Sequence, residues 1–227
     1  MTDISLNISR LKSELPSSVK LVAVSKTKPV NDIIEAWNAG QKYFGENRVQ
    51  ELLDKKDHVP ADVEWHLIGH LQTNKVKYIV PFISMIQSVD SLKLLNAINN
   101  EASKINKVVN CLLQIHIAEE ETKYGFSLSE IESIIDGKGF EGLKFVRICG
   151  VMGMATFTDD FSQVRKEFSC LREYFKVLKA RYFSSEDYFR EISMGMSGDY
   201  KIALEEGSTM VRIGSLLFGE RGKKQLT

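Results

Sequence analysis

Apolar residues along this chain form short, dense runs that alternate with amphipathic stretches, and the runs predict eight buried strands. The segment 108–117 (VVNCLLQIHI) shows the pattern most clearly. Its β-branched residues and leucines are nearly continuous, which is typical of a strand covered on both faces. The eight predicted strands cover residues 20–26, 42–45, 64–69, 85–89, 108–117, 144–152, 188–192 and 210–218.

Between the strands, apolar residues recur at steps of three and four, which predicts helices. In the longest helix, Phe161, Val164, Phe168 and the apolar residues that follow share one face, so that face must lie against the core. Gly40 and Gly207 follow two of the helical segments and are typical helix stops. The predicted helices cover residues 30–39, 48–56, 73–80, 91–105, 128–135, 161–178 and 199–206.

This eightfold alternation favours an α/β fold with one domain, residues 1–227, built as a (β/α)8 TIM barrel. The 227 residues give about 28 residues for each strand and helix, whereas an open doubly wound sheet normally has fewer repeats. On such a barrel the active site lies at the carboxyl ends of the strands, and phosphate is often held after strands seven and eight. We therefore expect the functional residues at those ends.

Composition excludes several classes of protein. With 43% hydrophobic residues the chain has material for a large core, which argues against disorder. Thirty basic residues balance thirty acidic ones, so we expect no nucleic-acid partner. We also expect no membrane segment, because no apolar stretch approaches the roughly 20 residues that a bilayer span requires.

The cysteines and the N-terminus indicate the cytoplasm. Cys111, Cys149 and Cys170 form no C-x-x-C pair and cannot all be bridged, which fits a reducing compartment. The first residues lack the apolar segment of a signal peptide. His66 and His70 are four residues apart, but no third ligand is suitably spaced, so we assign no metal site.

Lys26 is the first candidate for chemistry, because it ends the first predicted strand. Val22 and Val24 have the same strand parity, so Lys26 faces the barrel interior if they do. At the edge of an apolar core the pKa of an ammonium falls, and the neutral amine can attack a carbonyl carbon. The alternative is that Lys26 extends to solvent, as most lysines do.

Strands seven and eight supply the second candidate group. The loop 193–198 (SMGMSG) precedes a short helix, and the eighth strand supplies Gly214 and Ser215. Glycines that permit close approach, serine hydroxyls and a helix N-terminus together suit a phosphate dianion. A tight turn capped by Ser197 would explain the loop but not the second Gly-Ser pair. Arg212 shares the parity of Gly214 and could reach the centre, although it could also pair outward with a helix carboxylate.

A lysine opposite a phosphate site, with an arginine between them, indicates a phosphorylated aldehyde, of which pyridoxal 5′-phosphate (PLP) is the obvious example. The sequence also resembles the pyridoxal-phosphate-binding homeostasis proteins, which share their barrel with the N-terminal domain of alanine racemase. The resemblance covers nearly the whole chain. Its motifs are LVAVSKTKP (21–29), FGENRVQE (44–51), WHLIGHLQTNKVK (65–77), SVDS (88–91), SMGMSGDY (193–200), EEGSTMVRIGS (205–215) and FGER (218–221).

The resemblance implies a role for each matching residue. Lys26 forms the Schiff base with PLP, Asn47 lies near the ring hydroxyl, and Arg212 faces the pyridine nitrogen. The remaining cofactor-binding residues are Ser197, Gly214 and Ser215 at the phosphate, and Ser193 and Met194 along the ring pocket. Gly198 stands where relatives often carry a bulkier residue, and Ser215 stands where many have threonine.

The residue facing the pyridine nitrogen indicates binding without turnover. An arginine stays protonated and discourages protonation of the ring, which weakens the electron sink that carbanion chemistry needs. Alanine racemase resembles this site but adds a second domain and a catalytic tyrosine, which we expect to be missing here. We therefore assign no catalytic residue and expect a monomeric protein that serves PLP (vitamin B6) and amino-acid homeostasis, with PLP-dependent apo-enzymes as recipients. The alternatives are a PLP-dependent amino-acid racemase and a cofactor-free Schiff-base aldolase.

Overall fold

Eight parallel strands close into a barrel in the order of the chain, β1 next to β2 and so on around to β8 beside β1. The computed structural model describes residues 3–120 and 124–220, so Arg221 of the FGER motif lies outside the described residues. The (β/α)8 prediction is confirmed. The strands are β1 (Lys20–Val24), β2 (Tyr43–Glu46), β3 (Glu64–Leu67), β4 (Met85–Val89), β5 (Val109–Gln114), β6 (Val146–Met152), β7 (Glu191–Ser193) and β8 (Met210–Ile213).

The helices surround the barrel. Short 3₁₀ helices, Lys56–His58 and Thr73–Lys75, occur in the connections before and after β3. The α-helices are α1 (Ile4–Glu14), α2 (Val30–Asn38), α3 (Val49–Lys55), α4 (Val76–Ile79), α5 (Leu92–Ser103), α6 (Leu128–Asp136), α7 (Phe161–Tyr182), α8 (Tyr200–Glu205) and α9 (Ser215–Phe218). Across the described residues, none of the helices has the length and apolar character required to span a membrane.

Three elements differ from the sequence prediction. The prediction of a strand over 210–218 is wrong in its second half, since β8 ends at Ile213 and Ser215–Phe218 is a helical turn. The strand predicted over 188–192 is shifted, because β7 pairs with β6 only from Glu191 onward. The helix α1 was not predicted; Ile4, Ile8 and Leu11 form its buried stripe, but polar residues surround them.

The apolar core has two layers. Val22, Met85, Leu112, Met152 and Met210 fill the inside of the barrel, while a larger layer lies between the strands and the helices. On β1 the layers alternate, because side chains of successive strand residues point to opposite faces. Val22 therefore faces inward, as the sequence pattern predicts, and Leu21 and Ala23 face the helices.

Candidate functional site

A cavity of about 610 Å³ opens at the carboxyl ends of the strands. Its walls come from the loops after β1, β2, β3, β6, β7 and β8, so residues distant in sequence meet there. Six of the eight site residues expected from the sequence line it. They are Lys26, Asn47, Ser197, Arg212, Gly214 and Ser215.

Lys26 lies in the turn that follows β1, and the residues on both sides of it are anchored. The buried Ser25 donates its hydroxyl to Glu46 Oε1 at 2.6 Å. The amide of Thr27 donates to Glu51 Oε2, also at 2.6 Å. Thr27 has a φ of 65°, a conformation that costs a non-glycine residue about 1–3 kcal/mol and persists only where its surroundings enforce it. Hydrogen bonds to Glu46 and Glu51 therefore hold the turn that carries Lys26.

Lys55 joins these two anchors. Its Nζ lies 2.8 Å from Glu46 Oε1, 3.1 Å from Glu51 Oε2 and 3.0 Å from the carbonyl oxygen of Ser25. Burial raises the pKa of Glu46. Partial burial alone would raise the pKa of Glu51, but hydrogen bonds from the Thr27 amide and from Lys55 lower it. The ammonium of Lys55 is thus shared between two carboxyl groups that hold the Lys26 turn.

Asn47 follows β2, and its position depends on a glycine in the next strand's loop. A Cβ atom added to Gly69 would lie 2.4 Å from the Asn47 carbonyl oxygen and 2.8 Å from its Cα. Only a glycine allows the two backbones to approach so closely. Gly69 therefore lets Asn47 reach the cavity wall.

The loops after β7 and β8 meet at Ser197. Its Oγ accepts the amide of Gly214 at 3.3 Å and the amide of Leu216 at 3.5 Å, which leaves its own proton available to a ligand. A Cβ added to Gly214 would lie 3.2 Å from the Val24 carbonyl oxygen, so this glycine brings β8 close to β1. Gly198 differs, since a Cβ there would meet nothing within 4 Å.

Arg212 reaches the cavity from inside the barrel and is 3% exposed. Its Nη1 donates to Ser193 Oγ at 2.8 Å, and its Nη2 donates to the Gly153 carbonyl at 2.9 Å. Burial lowers the pKa of Arg212 to about 10, against the charge of Asp199, which raises it. The guanidinium is therefore still charged at neutral pH, and the outward orientation considered from the sequence does not occur.

Two expected site residues do not line the cavity. Met194 is fully buried in the apolar layer between the strands and the helices, so its side chain does not line the cavity. The reason is strand parity, because Ser193 points into the barrel and the residue after it points outward. Ser193 lies behind Arg212, which separates it from the cavity.

The loop after β6 forms one wall that the sequence did not identify. Met154, Ala155, Thr156 and Phe157 line the cavity there. The Thr156 amide and hydroxyl both donate to the carboxylate of Glu167, each at 2.7 Å, which ties the loop to α7. The signal available in the sequence was the run GVMGMAT, which marks the end of a strand without revealing which side chains turn inward.

Lys28 is a second amine on the cavity wall. Its Nζ donates to the carbonyl oxygens of Phe218, at 2.7 Å, and Gly219, at 3.2 Å. Phe218 is the last residue of α9 and Gly219 is its C-cap, and a cation is favourable at this end of a helix. The ammonium is engaged in holding the end of β8 and α9 against the loop after β1.

The two histidines considered as a metal pair are engaged separately. His66 Nδ1 lies 2.8 Å from Gln87 Nε2 inside the barrel, while His70 Nδ1 lies 2.8 Å from Asp90 Oδ2 and its ring stacks on Tyr124. Within residues 3–120 and 124–220, no group of three or more His, Cys, Asp or Glu side chains is arranged to hold a metal ion.

Comparison with known proteins identifies close relatives over most of the chain. The family model for the alanine racemase N-terminal domain matches residues 1–222. A pyridoxal phosphate homeostasis protein of Aquifex aeolicus is 40% identical, over 89% of this chain and 87% of its own length. The human pyridoxal phosphate homeostasis protein is 38% identical, over 94% of this chain and 81% of its own.

Solved structures give the same result. PipY of Synechococcus elongatus, solved with PLP bound, superposes with a TM-score of 0.86 at 34% identity and covers 95% of this chain and 100% of PipY. Alanine racemase of Clostridium difficile superposes with a TM-score of 0.75 at 15% identity, over 98% of this chain and 57% of the racemase. The racemase shares the fold alone.

Proposed function

Because this chain belongs to the pyridoxal phosphate homeostasis protein family, built on the barrel of the alanine racemase N-terminal domain, we propose that it binds PLP reversibly and serves the homeostasis of that cofactor and of amino acids. The observation that carries this function is the convergence of an amine, an arginine and two serines on one cavity. Lys26, Arg212, Ser197 and Ser215 all line it, although they belong to two different loops, one strand and the start of a short helix.

The cavity fits the chemistry of PLP at each functional group. A volume of about 610 Å³ lies within the range of small-molecule sites. The hydroxyls of Ser197 and Ser215, with the adjacent Gly214, would hold the phosphate, and Arg212 would donate to the pyridine nitrogen. Asn47 would lie by the ring hydroxyl. Each of these groups is a donor, which suits a ligand rich in acceptors.

Lys26 supplies the covalent link. PLP brings an aldehyde, which condenses with an amine to form a carbon–nitrogen double bond and release one water. Attack requires the neutral amine of Lys26, and the fixed turn of Ser25 and Thr27 presents that amine to the cavity. Lys28 lines the same cavity, but its ammonium donates to the carbonyls of Phe218 and Gly219.

Arg212 supports a protein that binds the cofactor without turnover. Carbanion chemistry draws on a protonated ring, which a carboxylate at the ring nitrogen would favour. Arg212 offers only donors and keeps its charge, so it disfavours a proton on that nitrogen. We propose a non-catalytic role in which one domain, residues 1–227, acts as a monomer in the cytoplasm and passes PLP to apo-enzymes.

The test is titration of the apo-protein with PLP, followed by absorbance. We expect a Schiff-base band that borohydride reduction fixes onto Lys26, identified by peptide mapping. Lys26→Ala should lose the band, whereas Lys28→Met should still form a reduced adduct on Lys26. Retention of the band by Lys26→Ala would overturn the assignment.

Three further measurements test the absence of turnover, the monomeric state and the transfer of PLP to apo-enzymes. Exchange of the α-proton of alanine for deuterium, well above the rate with free PLP, would contradict the non-catalytic role. Sedimentation of the loaded protein should give the mass of one chain. Mixing the loaded protein with an apo-enzyme and a PLP trap should activate the enzyme if transfer is direct.

A further inference from the structure

A chain of buried hydrogen bonds runs from the cavity into the barrel and begins at Arg212. Arg212 Nη1 donates to Ser193 Oγ at 2.8 Å, and Ser193 Oγ donates to Gln87 Oε1 at 2.7 Å. Gln87 Nε2 lies 2.8 Å from His66 Nδ1 and 3.0 Å from the sulfur of Met210. Arg212 and His66 are 3% exposed, and Ser193 and Gln87 are fully buried.

The chain allows only one arrangement of protons. A guanidinium donates hydrogen bonds and never accepts them, so the Ser193 hydroxyl accepts from Arg212. The same hydroxyl then donates its hydrogen bond to Gln87 Oε1. The Met210 thioether accepts only, which places the Gln87 nitrogen on that side and makes His66 Nδ1 an acceptor. Burial lowers the pKa of His66 to about 3, with a smaller contribution from Lys20, so the ring stays neutral.

We propose that Ser193 and Gln87 are positioning residues that fix the direction of the Arg212 guanidinium, and thereby its hydrogen bond to the pyridine nitrogen. The inference rests on the proposed function, because the ring nitrogen belongs to PLP. Neither residue lines the cavity, so each acts through Arg212. Among the described residues of this hydrogen-bond network, Arg212 alone lines the cavity.

Fixing the guanidinium has two consequences for a bound ligand. With Nη1 directed to Ser193 and Nη2 to Gly153, the side chain is ordered before the ligand arrives, which lowers the entropic cost of binding. The fixed positive charge also disfavours a proton on the Schiff-base nitrogen across the ring, because like charges repel. A guanidinium that swings away weakens both effects, so affinity falls and that nitrogen keeps its proton to higher pH.

The competing explanation is that these hydrogen bonds serve only to pair the buried polar groups inside the barrel. Removal of any buried hydrogen bond would then lower stability without a specific effect on PLP. Ser208 provides the matched control. It is buried, its hydroxyl donates to the carbonyl oxygens of Met194 and Met210 at 2.8 and 3.0 Å, and the hydrogen bonds of the Arg212 side chain go instead to Ser193 and Gly153.

The experiment compares Ser193→Ala, Gln87→Met and Ser208→Ala with the wild type. For each protein we measure the apparent Kd of PLP by absorbance, the pH midpoint of the Schiff-base band, and the Tm without PLP. Ser193→Ala should bind PLP about tenfold more weakly, the fold-change that one lost hydrogen bond gives, with Gln87→Met affected less. The midpoint should rise by roughly half a pH unit in both variants. Ser208→Ala should lower the Tm but keep the wild-type affinity and midpoint.

The outcomes separate the two explanations. Wild-type affinity and midpoint in Ser193→Ala would overturn the inference, and so would an equal loss in Ser208→Ala. If Gln87→Met does not fold, Ser193→Ala decides the matter alone. If the wild type itself forms no Schiff-base band, the proposed function fails and the inference fails with it, a result that the variants cannot imitate.

Discussion

The carboxylate of Glu51, on α3, accepts a hydrogen bond from the backbone amide of Thr27, with Oε2 and N 2.6 Å apart. This bond holds the residue after Lys26 in the left-handed region. Glu51→Ala should lower the free energy of unfolding by about 1.5–3 kcal/mol, since the lost bond involves a charged acceptor. It should also weaken PLP binding several-fold, because the turn that presents Lys26 is no longer fixed.

The control for this variant is Glu35→Ala, which removes an exposed glutamate from α2. Urea unfolding gives the stability, and absorbance titration gives the affinity. Equal affinity for PLP in the two variants would show that the Glu51 bond is not needed to present Lys26.

The lowered pKa of the buried His66 predicts that the stability of the protein depends on pH. Its pKa is lowered by burial to about 3 in the folded protein, whereas the unfolded chain takes up a proton below about 6.5. Between these values the unfolded state binds more protons, so the free energy of unfolding falls as the pH falls, by roughly 1.4 kcal/mol per pH unit. The contribution of His66 is fully present above pH 6.5.

The measurement is urea unfolding at about pH 7.5 and about pH 5, for the wild type and for His66→Asn. The asparagine oxygen can still accept from Gln87 but does not titrate in this range. The wild type should lose roughly 2 kcal/mol more than the variant over that interval. Parallel losses would mean that His66 is protonated inside the folded barrel.

The sequence was sufficient for the barrel and for much of the cavity. Alternation along β1 places Val22 inside and Val24 on the cavity wall, and Lys26 lines the cavity from the turn that follows. Arg212 follows from the parity of β8 in the same way. These predictions succeed because the period of a strand and the closure of the barrel are fixed by backbone geometry.

Other parts of the site depend on contacts that no local pattern shows. Met194 packs in the outer apolar layer, because a shift of one position from Ser193 turns a side chain to the other face. Ser215 begins a helical turn, although the apolar run after it resembles a strand. Gln87 lies within a strand buried on both faces, and its partner Ser193 is 106 positions away. Only the closed barrel brings the two together.

Two glycines near the cavity should differ in their tolerance of the same substitution. Gly69→Ala forces a Cβ to 2.4 Å from the Asn47 carbonyl, a backbone atom that can move only with its strand. We expect a loss of about 1–3 kcal/mol in the free energy of unfolding, with weaker PLP binding. Gly198→Ala adds a methyl group in open space and should change stability by less than about 0.5 kcal/mol. Denaturant unfolding of both variants, with the PLP titration, checks the contrast.

Substitution of Ser197 or Ser215 should affect the affinity for PLP and the affinity for its unphosphorylated form, pyridoxal, differently. If their hydroxyls hold the phosphate, Ser197→Ala should weaken PLP binding by roughly 10- to 100-fold, the value of a hydrogen bond to a charged group, and Ser215→Ala should act in the same direction. Pyridoxal carries the same aldehyde and ring without the phosphate, so its much weaker affinity should hardly change in either variant. Absorbance titration of each variant with both ligands gives the comparison. A parallel loss for pyridoxal would place these serines at the ring, because only a contact with the shared part of the two molecules lowers both affinities together.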